Sequence, residues 1–91
     1  MTTYRTTNKR YFPKNNRSEK NSRTEQLNKI FEEISEIKMA VCEGESDSRI
    51  AEECYDAIHA IEGYIDKLNV DTVKVQSYVL LKNMSRGDYD A

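Results

Sequence analysis

Residues 30–58, "IFEEISEIKMAVCEGESDSRIAEECYDAI", decide the fold of this chain and contain one acidic pattern twice. EEISE runs from Glu32 to Glu36 and EECYD from Glu52 to Asp56, each position shifted by twenty. Around the first copy Leu27, Ile30, Phe31, Ile34, Ile37 and Val41 recur at helical spacing. Around the second, Ile50, Cys54, Ala57, Ile61, Tyr64, Ile65 and Leu68 do the same. Ser22 and Glu25 stand at capping-box spacing and start the first helix. It should stop near Cys42, because "EGESDS" brings Gly44 and a cluster of turn formers. Asp47 or Ser48 can cap the second helix. A connection this short favours an antiparallel hairpin.

Beyond the hairpin, Asp71 can cap a third segment, "TVKVQSYVLLKNM", which ends at the breaker-like "SRGD" of Ser85 to Asp88. Val73 and Val75 alternate with polar residues as in a strand, yet Val73, Ser77, Leu80, Leu81 and Met84 fit a helix face. A single strand after two helices lacks a partner, so the segment is expected to be a helix. The expected fold is all-α: an antiparallel hairpin plus a third helix, with the bundle completed by oligomerisation.

Composition sets the scale. Ninety-one residues make one small domain, and with 37% hydrophobic residues the core must be small. Self-association is therefore expected, as a homodimer or homotetramer. The third segment, with Val73, Val75, Tyr78, Val79, Leu80, Leu81 and Met84, has more apolar surface than a hairpin can cover. No apolar run approaches the roughly 18 residues that span a membrane, and the polar N-terminus lacks a secretory signal. Cys42 and Cys54 form neither a metal-like CxxC nor a disulfide framework. They read as reduced thiols of a cytoplasmic protein.

The net charge of -2 hides an asymmetry. Residues 1 to 23 carry seven basic groups against Glu19 alone, whereas the rest carries seven basic and fifteen acidic residues. The segment 1–22 has no apolar period and reads as a flexible basic arm ahead of a helical domain at 23–88. Tyr4, Tyr11 and Phe12 interleave with its cations, a composition compatible with stacking on nucleic-acid bases. The plainer reading is a solvated tail, or one docked on the acidic body.

At about 100° per residue, Glu33 and Glu36 lie along one flank of the first apolar stripe, and Glu53 and Asp56 at the same angles on the second. Glu32 and Glu52 face solvent. In the hairpin, Glu36 pairs with Glu53 and Glu33 with Asp56 about a midpoint between Gly44 and Glu45, so four carboxylates come level beside the core. With no cation in the cluster they would repel one another, so either some stay protonated or something positive sits between them. All-oxygen ligands suit Mg²⁺ or Mn²⁺, and the absence of His and Cys argues against zinc. The competing reading is ordinary solvated acids on two surface helices. His59, opposite Ile50 on the helix wheel, reads as a surface residue.

The two motifs, Glu33-Ile34-Ser35-Glu36 and Glu53-Cys54-Tyr55-Asp56, resemble the ExxE and ExxD of the MazG-like, all-α nucleoside triphosphate pyrophosphohydrolases, which include dimeric dUTPases and dCTP pyrophosphatases. "LNKIFEEISEIKMAV" is similar to that family's first helix, "RIAEECYDAIHAIEGYI" to its second, and "LLKNMSRGDY" to a C-terminal phosphate-contacting segment. The resemblance covers roughly residues 23 to 88. It implies that Glu33, Glu36, Glu53 and Asp56 bind Mg²⁺, that activated water attacks the α-phosphorus, and that pyrophosphate leaves. It further implies that Lys82 and Arg86 hold phosphate oxygens and Asn83 hydrogen-bonds the nucleotide. Glu32 or Glu52 would assist the ligands. Tyr55 departs from the small residue usual before the aspartate and would serve an interface or restrict a pocket. The basic arm lies outside the family pattern; with the compact size it suggests a phage or mobile-element origin. Two other readings stay open: a protein that sequesters a nucleotide without cleaving it, and a helical dimer whose basic arm binds nucleic acid.

Overall fold

Every helix among the described residues begins at a side chain that accepts an otherwise free backbone N–H. The computed structural model describes residues 10–89, which form four α-helices and no strand. These are α1 (Asn16–Lys20), α2 (Arg23–Cys42), α3 (Asp47–Ile65) and α4 (Thr72–Ser85). The Asn15 side chain caps α1 through the N–H groups of Arg17 and Ser18. At α2 the capping box is complete: Glu25 N–H donates to the Ser22 hydroxyl at 3.1 Å, and Ser22 N–H donates back to the Glu25 carboxylate at 2.8 Å. The hydrogen bond from the Ser22 backbone holds the Glu25 carboxyl below the ordinary glutamate range.

The second long helix starts one residue before the expected caps. Ser46, with extended backbone, accepts from Arg49 N–H at 3.2 Å, leaving Asp47 in the first turn at the positive end of the helix. Asp71 caps α4 through Lys74 N–H at 3.2 Å, and its segment is helical. The turn after α2 is set by Gly44, whose φ of 70° only glycine adopts without strain. Glu45 N–H reaches the Ala40 carbonyl and Gly44 N–H the Val41 carbonyl, which together close the helix end. Gly87 at φ 77° does the same after α4, where Gly87 N–H donates to the Met84 carbonyl and Asp88 N–H to the Asn83 carbonyl.

The chain divides into two units. One, Tyr11–Leu68, holds α1 to α3; the other holds α4 and its flanks, together with Arg10. Within the second unit no residue of α4 is buried; Tyr78 and Leu81 are among its most exposed side chains.

In the first unit α2 and α3 pack antiparallel along a seam that can be followed residue by residue. On α2 the less exposed positions are Gln26, Ile30, Glu33, Ile37 and Ala40; on α3 the matching row is Ile50, Glu53, Ala57, Ala60 and Tyr64, flanked by Cys54, Ile58, His59, Glu62 and Gly63, which are also buried or half-buried. The alternating steps of three and four in the two rows are those of helices in near-parallel alignment. The only buried apolar side chains among the described residues are Ala40, Ala57 and Ala60, so the helices approach closely over small residues. The expected stripe was broader than the seam: Leu27, Phe31, Ile34 and Val41 remain exposed.

Of the two readings of the arm, a solvated tail or one docked on the acidic body, the described part takes the docked arrangement. From Tyr11 to Asn21 it lies on the hairpin, while Tyr4 falls outside the described residues. The N–H groups of Tyr11 and Phe12 donate to the Glu62 carboxylate at 2.6 and 3.1 Å. Ser18 is buried over Gly63, where an added Cβ would lie 2.6 Å from the Ser18 hydroxyl and 3.0 Å from Gln26 Nε2. Gln26, the largest fully buried side chain, donates to the Ala60 carbonyl and accepts from the Asn21 amide, each at 2.9 Å. A buried amide with both ends satisfied ties α2, α3 and the arm into one polar joint.

Candidate metal centre and the cleft beside it

Glu33 and Glu53 occupy seam positions, where helix packing ordinarily places apolar residues. Their side chains are only 14% and 12% exposed, so neither is an ordinary solvated surface acid. Asp56, one turn beyond Glu53, is exposed but leans toward them. One carboxylate oxygen from each of Glu33, Glu53 and Asp56 lies within 4.8 Å of the others. Glu36 is exposed and outside this trio, so three rather than all four of the expected acids come together. Glu32 and Glu52 are exposed, as their helical angle implies.

The cluster is not without cations, contrary to expectation. Lys29 Nζ lies 3.0 Å from Glu33 and 3.6 Å from Glu32. Arg49 reaches Glu53 at 2.9 Å and also contacts Glu52. The hydrogen bond to Glu33 raises Lys29 above the ordinary lysine range, and that to Glu52 chiefly raises Arg49. Both pairs are one helical turn apart. The signal was in the sequence: Lys29 and Arg49 are themselves twenty apart, so the repeat begins as Lys-Ile-x-Glu-Glu and Arg-Ile-x-Glu-Glu.

Two cations against three clustered carboxylates leave the group short of positive charge, more so because Glu32 and Glu52 share the same cations. The donors are all hard oxygens, a set suited to Mg²⁺, Mn²⁺ or Ca²⁺ and poorly suited to zinc. Such an ion fits this set.

A cleft of about 640 Å³ opens beside the trio. Glu33, Asp56, Lys29 and His59 line its hairpin wall, and Asn15, Arg17, Lys20 and Asn21 of the arm line the other. His59, expected at the surface, is half-buried: the Phe12 ring stacks on it at 4.6 Å between centroids and 26° between planes. Its Nε2 is 3.5 Å from the Asn15 amide. Tyr55 packs near Tyr11 and Phe12, at 6.3 and 6.4 Å, beside a second cleft of about 620 Å³ that Asp56 also borders. The arm residues of these clefts carried no periodic signal, because their place depends on docking rather than on a helix of their own.

The C-terminal candidates sit in the other unit. Lys82 lies over the Tyr78 ring at 5.8 Å, Asn83 donates to the Tyr89 hydroxyl at 3.2 Å, and Arg86 is the C-cap of α4. Cys42 and Cys54 are free thiols, and no helix among the described residues is long and apolar enough to cross a membrane. Comparison with models of protein families, with curated proteins and with solved structures finds no match to this chain.

Proposed function

We propose that this protein is a Mg²⁺- or Mn²⁺-dependent nucleotide pyrophosphohydrolase, cleaving a nucleoside triphosphate or related nucleotide to monophosphate and pyrophosphate. The observation that carries this reading is the trio Glu33, Glu53 and Asp56, with two of its members held in the helix seam. Charged groups in a packing seam cost stability unless something positive offsets them. Lys29 and Arg49 supply part of that offset from the flanks, and a divalent ion would complete it. When bound, such an ion neutralises phosphate charge and acidifies water. Glu33, Glu53 and Asp56 would hold it. Glu36, one turn beyond Glu33 with an exposed side chain, is the candidate fourth ligand. Following the family resemblance, Lys82, Asn83 and Arg86 are assigned to the phosphates and the nucleotide.

A homodimer or homotetramer belongs to the same proposal, and one feature of the hairpin supports it. Besides the seam, each long helix carries a second apolar row displaced by one residue: Leu27, Phe31, Ile34 and Val41 on α2, and Cys54, Ile58, Ile61 and Ile65 on α3. In an antiparallel pair the same displacement puts both rows on one side. Glu36, Asp56 and the cleft, displaced the other way, lie on the opposite side. A second copy covering the apolar side would complete a bundle without closing the cleft.

The decisive experiment is a panel of ribo- and deoxyribonucleoside triphosphates incubated with Mg²⁺, with products identified by chromatography. Monophosphate and pyrophosphate are the expected products. Diphosphate and orthophosphate would contradict the reading, and metal-dependent binding without turnover would replace it with sequestration.

A further inference from the structure

We infer that the docked N-terminal segment is a phosphate-binding wall: Arg17 and Lys20 grip the oxygens of a polyphosphate chain lying in the cleft between them and the carboxylate trio. The inference rests on the metal reading of that trio, and it adds ligand-binding residues from a part of the chain that the family resemblance does not cover.

The cleft, about 640 Å³, has walls of opposite character. Glu33 and Asp56 stand on the hairpin side, and Arg17 and Lys20 stand on the arm side. Neither Arg17 nor Lys20 has a carboxylate partner among the described residues, although the chain carries sixteen acids to its fourteen cations. Lys29, by contrast, is committed to Glu33 and Glu32. A ligand that fills such a space must present anionic oxygens to one wall and bring positive charge to the other. A polyphosphate chain accompanied by a divalent cation meets both demands. A bare polyanion would be repelled by the carboxylates, and a bare metal ion would leave the basic wall unused.

The contacts that dock the arm on the hairpin also place it for this. Two backbone N–H groups bond Glu62, Ser18 seats on Gly63, and the Asn21 amide joins the buried Gln26. Tyr11 and Phe12 precede Arg17, Ser18 stands between Arg17 and Lys20, and Asn21 follows, so the backbone that carries both cations is held along the cleft. Arg17 offers a planar fork suited to two phosphate oxygens at once, and Lys20 a point charge.

The test uses the full chain, isothermal calorimetry and two probes: Mn²⁺ alone, and inorganic tripolyphosphate in excess Mn²⁺. Arg17→Gln with Lys20→Gln should weaken tripolyphosphate at least tenfold and leave the affinity for Mn²⁺ alone within threefold. The parent's tripolyphosphate affinity should fall with added salt, because exposed charges are screened. Lys38→Gln with Lys74→Gln removes the same charge outside the cleft and should change little. The inference is overturned if the parent does not bind tripolyphosphate, or if both double variants weaken it equally. If Mn²⁺ alone fails to bind the parent while the first variant still loses tripolyphosphate, the metal reading falls and the basic wall stands. Circular dichroism of the variants checks that the helices survive.

Discussion

Replacing Gly63 by alanine tests the docking of the arm through the sign of the stability change. In an exposed helix interior Gly→Ala stabilises by about 1 kcal/mol, because alanine loses less backbone entropy. At position 63 the new methyl would lie 2.6 and 2.8 Å from Ser18 Oγ and Cβ, and 3.0 Å from Gln26 Nε2. Neither neighbour can swing away freely: Ser18 is on a capped turn, and Gln26 is fully buried with both ends bonded. Overpacking of this kind costs about 1–3 kcal/mol, and so tight a contact belongs near the upper end. Less the propensity gain, the expected net loss is about 1–2 kcal/mol, at about 4–8 °C of melting temperature per kcal/mol. Thermal melts followed by circular dichroism measure it. Trypsin should cut after Arg17 and Lys20 faster in the variant than in the parent. Adding Ser18→Gly removes two of the three close atoms, so the double variant should recover part of the loss, a coupling visible in a double-mutant cycle. A Gly63→Ala protein that melts higher than the parent and resists trypsin equally would refute the docked arrangement.

Three further predictions follow from the seam, the cap and the apolar face. Mn²⁺ at a hundredfold excess over its Kd should stabilise the parent by about 2.7 kcal/mol. Glu33→Gln, Glu53→Gln or Asp56→Asn should abolish that response and any turnover, whereas Glu36→Gln should only weaken them; an unchanged response in all four would show that the acids are plain surface charge. Glu25, whose folded pKa is depressed by the Ser22 cap, contributes stability that is present above the ordinary glutamate range and lost as pH falls through the depressed value. The parent should therefore lose more melting temperature between pH 7 and pH 3 than Glu25→Gln does, and parallel losses would remove the cap from the account. Phe31→Asp, on the exposed row of α2, should shift the sedimentation of a dimer to that of a monomer, while a parent already monomeric at micromolar concentration contradicts the second-copy proposal.

What the sequence determined by itself was local. Ser22 with Glu25, Gly44 after Cys42, and Asp71 before Thr72 act over three to five residues, so the ends of α2 and the start of α4 could be read from spacing alone. The same holds for the common level of Glu33, Glu53 and Asp56, which follows from their spacing and a short antiparallel turn, though their meeting also needs the right helix faces turned together. Lys29 and Arg49 were equally legible, since the twenty-residue repeat includes them. Tertiary structure decided the rest. Each long helix carries two apolar rows one residue apart, and the pattern cannot say which faces its neighbour. The close approach over Ala40, Ala57 and Ala60 selects the row that holds Glu33 and Glu53, lifting those acids out of solvent and leaving Phe31 in it. Nor does any periodicity mark the arm: its place is made by Ser18 meeting Gly63, Tyr11 and Phe12 meeting Glu62, and Phe12 meeting His59. Those partners stand some forty to fifty residues apart in the chain and become neighbours only after the hairpin has closed.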